Sequence, residues 1–179
     1  MASPGDLKLI KATICSITGH ENAREGQVKS VARLVFEQAD TVLVAATSYG
    51  KSAVLYACAA LLNKITVQIV PLTKLGENQR ESIAKDVPGA RPIWIDTDTH
   101  LKNREIWNEV RDGKYTYVLL SPEQAVSTKF KGVLRDLGFY TKIGLFAIDE
   151  LYIISEWREF RPEFTYLYSL RTLLPRVIP

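Results

Sequence analysis

Five short runs of mostly apolar residues punctuate the chain, at 41–46, 66–70, 91–95, 115–120 and 142–148. They are continuous in apolar residues rather than alternating, as in strands covered on both faces. Between them the period changes. Val28, Val31, Ala32 and Val35 recur at i, i+3, i+4 and i+7, one stripe of a helix ahead of the first run. Segments 52–63, 74–85, 101–111 and 130–137 fill the remaining gaps with helical patterns. Strands alternating with helices predict an α/β domain of three layers, with a mostly parallel central sheet between helices. Ligands of such sheets bind outside the carboxyl ends of the strands, so the residues after each run are the ones to read for chemistry. Residues 1–20 are ambiguous between helix and strand and stay unassigned, which leaves one domain over 21–179.

Composition refines this only at the margins. Apolar residues make up 46% and charged residues 24% of the 179, a balance that builds a core and argues against disorder. A net charge of +3 is compatible with a polyanionic partner without requiring one. Cys15 and Cys58 have neither metal-ligand spacing nor the density of a disulfide scaffold, which fits a reducing, intracellular compartment. Cys58 lies in an alanine- and leucine-rich run and reads as a buried thiol. Lys8 and Lys11 break the only apolar stretch near the N-terminus, so no signal peptide is expected. The apolar window 43–62 contains Gly50, Lys51 and several hydroxyls. It reads as strand, turn and buried helix rather than a membrane span, and a soluble chain is expected.

The first run leads into Ala45-Ala46-Thr47-Ser48-Tyr49-Gly50-Lys51-Ser52 and then a helix-forming stretch, the setting of a phosphate-binding loop. The opening amides of a helix have no partner within it, and its dipole places about half a positive charge there, so phosphate oxygens settle at that end. Gly50 lets the backbone approach them, Lys51 would reach the β- and γ-phosphates, and the Ser52 hydroxyl would help hold magnesium. The residues from Ala46 to Ser52 are the candidate ATP-binding loop. The alternative is a chance Gly-Lys-Ser at a helix start, and Ala45 stands where the pattern's leading glycine belongs. The last run stops at Asp149-Glu150. In nucleotide hydrolysis one acid, Asp149, holds magnesium and the next, Glu150, polarises the attacking water. A strand ending in solvated acids is the bland reading, but the two motifs together in one α/β chain favour a nucleotide hydrolase.

Beyond Glu150, Ile154-Ser155-Glu156-Trp157 and Phe160-Arg161-Pro162-Glu163-Phe164 resemble the aromatic-rich loop that follows the Walker B acids of RecQ-like helicases. Other segments fall in that family's order. Arg24-Glu25-Gly26-Gln27 resembles its Arg-Pro-Gly-Gln element, whose arginine and glutamine contact adenine. Pro71-Leu72 with Leu75 and Gln79 resembles motif Ia. Ser121-Pro122-Glu123 resembles the element that lies along the DNA strand. The resemblance runs from about Arg24 to Pro175. It implies a superfamily 2 motor with a RecA-like P-loop domain, using ATP and magnesium on single-stranded or tailed duplex DNA, in the nucleus or a nucleoid. Lys51, Asp149 and Glu150 would be catalytic, and Arg24, Gln27 and residues 46–52 would bind ATP. Pro71, Ser121, Pro122, Glu123, Trp157, Arg158, Phe160 and Arg161 would contact DNA. From their chemistry alone, Trp157 and Phe160 could stack on bases and the two arginines touch phosphates, or the aromatics could close the core. Gln27 could equally begin a surface helix.

The chain also departs from the family. Leu151-Tyr152 replace the Ala-His of its Asp-Glu-Ala-His box, and the aromatic loop is one residue shorter and lacks its histidine. The second RecA-like lobe and its arginine finger are absent from the 179 residues, so unwinding by this chain alone is not expected. The competing readings are a degenerate nucleotide- or nucleic-acid-binding module without helicase activity, and a small stand-alone P-loop kinase. The aromatic loop argues against the kinase.

Overall fold

Four of the five apolar runs pair into one sheet. In a computed structural model, which describes residues 2–150 and residue 170, they are β1 (Ile65–Ile69), β2 (Pro92–Ile95), β3 (Tyr117–Leu120) and β4 (Ile143–Ile148). All neighbours are parallel, in the order β2-β3-β1-β4, with Val67 opposite Val118 and Phe146. The helices are α1 (Pro4–Thr18), α2 (Glu25–Phe36), α3 (Lys51–Leu62), α4 (Thr73–Asp86), α5 (Thr97–Lys102), α6 (Ile106–Arg111), α7 (Pro122–Ala125), α8 (Thr128–Leu134) and α9 (Leu137–Tyr140).

Strand side chains alternate between two faces. Val67, Ile69, Ile95, Val118 and Leu120 point one way, into a core closed by Ile106, Trp107 and Val110 of α6, Phe130 of α8 and Phe139 of α9. Trp94, Tyr117 and Leu119 point the other way, against Tyr56 of α3 and Ile83 of α4. A further cluster joins Ile10 and Ile14 of α1, Val28 and Val31 of α2 and Val54 and Ala57 of α3 to Leu145 of β4. Each such aliphatic side chain, fully buried, contributes about 1.5–3 kcal/mol. The result is the expected helix–sheet–helix arrangement. On the α4 side the helix backbone comes very close: a Cβ on Gly76 would lie 2.5 Å from the Trp94 ring.

Residues 1–20 resolve into a helix with its own punctuation. The amide of Asp6 donates to Ser3 Oγ at 3.2 Å and that of Ser3 to Asp6 Oδ2 at 2.8 Å, a capping box with Pro4 in the first turn. Gly19, with φ of 69°, ends the helix by donating to the Cys15 carbonyl.

Three expectations need correction, the first being the helix over 130–137: it stops at Leu134, and Asp136 caps a separate helix, α9, by accepting the Phe139 amide at 3.0 Å. Run 41–46 is not a strand: among the described residues no ladder joins it to the sheet of β1 to β4. Burial there alternates, with Leu43 half-buried and Val42 and Val44 exposed by 75% and 90%. It keeps the period of an extended chain but has no pairing neighbour among the described residues. The helix expected over 101–111 is two helices. Asn103 breaks it, its Oδ1 accepting the Glu105 amide at 3.0 Å and so competing with helical hydrogen bonding. Asp96 caps the first piece by accepting from the Thr99 amide at 2.8 Å, which moves its start back to Thr97.

Candidate nucleotide site at the carboxyl edge of the sheet

Only Asn63 and Lys64 separate α3 from β1, so α3 runs antiparallel to the strands and its N-terminus lies at their carboxyl edge. Val54, Ala57 and Cys58 of α3 share a core cluster with Leu145 of β4, which fixes that helix over the strand ending in the two acids. The loop and the acids therefore occupy one edge of the sheet.

The loop is a single 3-10 turn, Thr47–Tyr49, followed by Gly50 with φ of 81°. A side chain at Gly50 would be disfavoured by that φ, and its Cβ would meet the Gln27 amide nitrogen at 2.7 Å. Thr47, Ser48 and Ser52 are exposed, and the Lys51 ammonium donates to the carbonyls of Ala45 and Ala46 at 3.0 and 3.4 Å. Those contacts satisfy the charge locally while leaving the opening turn of α3 accessible.

Arg24 and Gln27 both reach this loop. The Arg24 guanidinium sits 5.0 Å from the Tyr49 ring centre, and Tyr49 packs over Gly26. Gln27, only 5% exposed, donates to the carbonyls of Tyr49 and Gly50 at 3.2 and 3.1 Å and accepts from the Arg24 amide at 3.0 Å. Its side chain thus caps α2 and braces the loop.

At the end of β4 the Asp149 amide donates to the Ile69 carbonyl at 2.9 Å, carrying the ladder one residue further. Glu150 then turns into the left-handed region, with φ of 49°. That conformation costs a residue with a side chain about 1–2 kcal/mol, and here Asp149 Oδ1 accepts the Glu150 amide at 2.9 Å. The other carboxylate oxygen, Oδ2, accepts from Gln79 of α4 at 2.7 Å and Gln68 of β1 at 3.2 Å. Sequence reading missed Gln68 and Tyr117, the residues behind this carboxylate. The available signal was a glutamine inside the apolar run Ile65-Thr66-Val67-Gln68-Ile69, since a buried amide needs partners.

Pro71 follows β1 and Ser121 follows β3, so both sit on the same edge. Pro71, Ser121 and Pro122 are buried, and Ser121 Oγ caps α7 through the Gln124 amide; Glu123 is half-buried. Trp157, Arg158, Phe160 and Arg161 lie outside the described residues. Among the described residues no helix is long and apolar enough to cross a membrane, and Cys15 and Cys58 are free thiols.

A parallel sheet between helices, with a loop and paired acids on one edge, defines a RecA-like α/β domain. The chain belongs to the DEAD/DEAH box helicase family, which matches residues 24–177. It is similar to the ATP-dependent DNA helicase RecQ of Haemophilus influenzae, with 28% identity over 162 residues, covering 89% of this chain and 25% of that protein. It is also similar to the bifunctional 3'-5' exonuclease/ATP-dependent helicase WRN of Mus musculus, with 32% identity over 161 residues, covering 89% of this chain and 11% of that one. The chain thus spans a quarter or less of the length of these relatives. The fold matches that of the DUF1998 helicase MrfA, solved bound to DNA and AMPPNP, with a TM-score of 0.63 and 17% identity over 89% of this chain and 24% of the other. Within that family its similarity is to the helicase domains of RecQ-type proteins.

Proposed function

We propose that this domain binds and hydrolyses ATP with magnesium and contacts single-stranded DNA, as the first motor lobe of a RecQ-like helicase working with a second lobe in the nucleus or nucleoid. The observation that supports it best is the placement of the Gly50-Lys51-Ser52 turn and the Asp149-Glu150 pair on one edge of a parallel sheet. The α3 amides and Lys51 would bind the phosphates, with the lysine exchanging its carbonyl partners for phosphate oxygens. Glu150 would take the proton of the attacking water as the bond to the γ-phosphoryl group breaks. Ser52 and Asp149 suit magnesium, because that ion takes one or two protein oxygens beside phosphates and water, and these are an exposed hydroxyl and a half-buried carboxylate. When bound, it supplies charge neutralisation to the phosphate oxygens.

Adenine reading by Gln27 requires its amide to leave the loop carbonyls, so loop opening and base recognition would go together. Along the same edge, Pro71 and the Ser121–Glu123 segment would approach the DNA backbone, with the buried members shaping the turn rather than touching the strand. Trp157, Arg158, Phe160 and Arg161 complete the proposed DNA contacts.

Calorimetric titration of wild type and Lys51→Ala with ATP and magnesium tests the nucleotide reading. A charge-assisted contact is worth about 1.5–3 kcal/mol, so the substitution should weaken binding by roughly 10- to 100-fold. Equal affinity would remove Lys51 from the phosphate site. Leu151-Tyr152 in the family's box favours one second reading, a binding module that no longer couples hydrolysis to DNA. ATPase rates with and without single-stranded DNA separate the two, since a motor is stimulated and a module is not.

A further inference from the structure

Behind Asp149 lies a chain of polar side chains running through the apolar interior. The Tyr117 hydroxyl donates to Gln68 Oε1 at 2.6 Å. Gln68 Nε2 donates to Gln79 Oε1 at 2.9 Å and to Asp149 Oδ2 at 3.2 Å, and Gln79 Nε2 donates to the same oxygen at 2.7 Å. Tyr117 and Gln68 are each 1% exposed and Gln79 is 8% exposed, so water does not substitute for these partners. Every proton points toward the carboxylate. Burial holds Tyr117 well above the ordinary tyrosine range, so its hydroxyl remains a donor, and that sets the direction of both amides.

Counting acceptor sites shows what this arrangement leaves. A carboxylate offers about four lone-pair directions. Among the described residues, two on Oδ2 are taken by the glutamines and one on Oδ1 by the Glu150 amide, which leaves a single direction on Oδ1. These bonds hold the carboxylate in one rotation.

We propose that Gln68 and Gln79, backed by Tyr117, are positioning residues that orient Asp149 toward magnesium, and that Gln79 ties the seating of α4 to that orientation. Gln79 lies one turn beyond Gly76, whose missing side chain lets α4 approach the sheet closely enough for the glutamine to reach Asp149. A shift of α4, which begins just after Pro71, moves the donor and lets the carboxylate turn. This rests on the nucleotide-site reading above and assigns the residues that set its metal geometry.

The test is ATP affinity as a function of magnesium, and again in EDTA, for the whole chain as wild type, Gln79→Leu, Gln68→Leu and Tyr117→Phe, with melting temperatures alongside. Partners behind a metal ligand typically carry 10- to 100-fold in metal affinity. Gln79→Leu should therefore raise the magnesium requirement about tenfold, with metal-free ATP affinity unchanged within about twofold. Tyr117→Phe removes one hydroxyl and keeps the core volume, so it serves if a glutamine variant fails to fold; it should shift the requirement in the same direction by less. In an Asp149→Asn background, Gln79→Leu should add nothing. A magnesium dependence unchanged in folded Gln79→Leu and Tyr117→Phe overturns the positioning role while leaving ATP binding in place. Equal loss of affinity with magnesium and in EDTA also overturns it, as damage to the fold. Wild type that binds no ATP with magnesium overturns the nucleotide reading and this inference together.

Discussion

Cys58 and Tyr56 lie on different buried faces of α3, Cys58 in the cluster with Leu145 and Tyr56 against Trp94 and Tyr117, and both are held protonated beyond their usual range. Burial raises the Cys58 thiol from 9.0 to about 12. Burial, then the charges of Asp86 and Asp149, raise Tyr56 from 10.0 to about 12. Below the unfolded values both states carry these protons and the stabilisation is complete. Above about pH 9 for the thiol and about pH 10 for the phenol, only the unfolded chain releases them, so stability falls until the folded values near pH 12 are reached. Each group contributes a slope of about 1.4 kcal/mol per pH unit in its window. Thermal melting from pH 8 to 11 should show a midpoint that declines above 9 and declines faster above 10. Cys58→Ala should flatten the first part of that decline. A midpoint independent of pH across this range would contradict the assigned burial.

Among the elements, legibility followed the source of each signal. Strands β1 to β4 and helices α3 and α4 were readable because apolar periodicity and burial agree there. Run 41–46 shows the opposite case: an apolar sequence states that a segment can pair, and pairing depends on a neighbour elsewhere in the chain. Helix α1 was readable in principle, since Ser3, Pro4 and Asp6 form a capping box and Ile10 and Ile14 sit one turn apart, yet its weak periodicity masked this. The loop and the acids of the site were legible as local motifs, whereas the Gln68–Gln79–Tyr117 chain joins three elements and could not be read from spacing. The seating of α4 gives a prediction at this scale. Gly76→Ala gains up to about 1 kcal/mol of helix propensity but forces a methyl into the Trp94 ring, and overpacking costs about 1–3 kcal/mol. We expect a lower melting temperature, with a larger loss for Gly76→Val. An unchanged midpoint for both would mean that α4 is not packed closely on β2.

At the scale of the molecule, the chain covers one RecA-like unit and a quarter or less of its relatives' lengths. Translocation by two-lobed motors depends on lobes closing around the nucleotide, and an arginine supplied to the phosphates typically carries about a thousandfold or more in rate. The 179-residue chain should therefore displace little or no strand from a tailed duplex at saturating ATP, even where ATP binding is measurable. Robust displacement by the purified chain would show that one lobe suffices.

The contact between Gly76 and Trp94 also has an optical consequence. The indole is 5% exposed, lies against helix backbone and donates its N–H to Asp96 at 3.2 Å. An indole in such surroundings emits at shorter wavelength than one in water, so lifting α4 would redden and dim the signal. The chain has three tryptophans, and replacing Trp107 and Trp157 with phenylalanine would leave Trp94 as the sole indole, read by exciting beyond the absorption of tyrosine. Its fluorescence would then follow the movement of α4 in real time, without a dye.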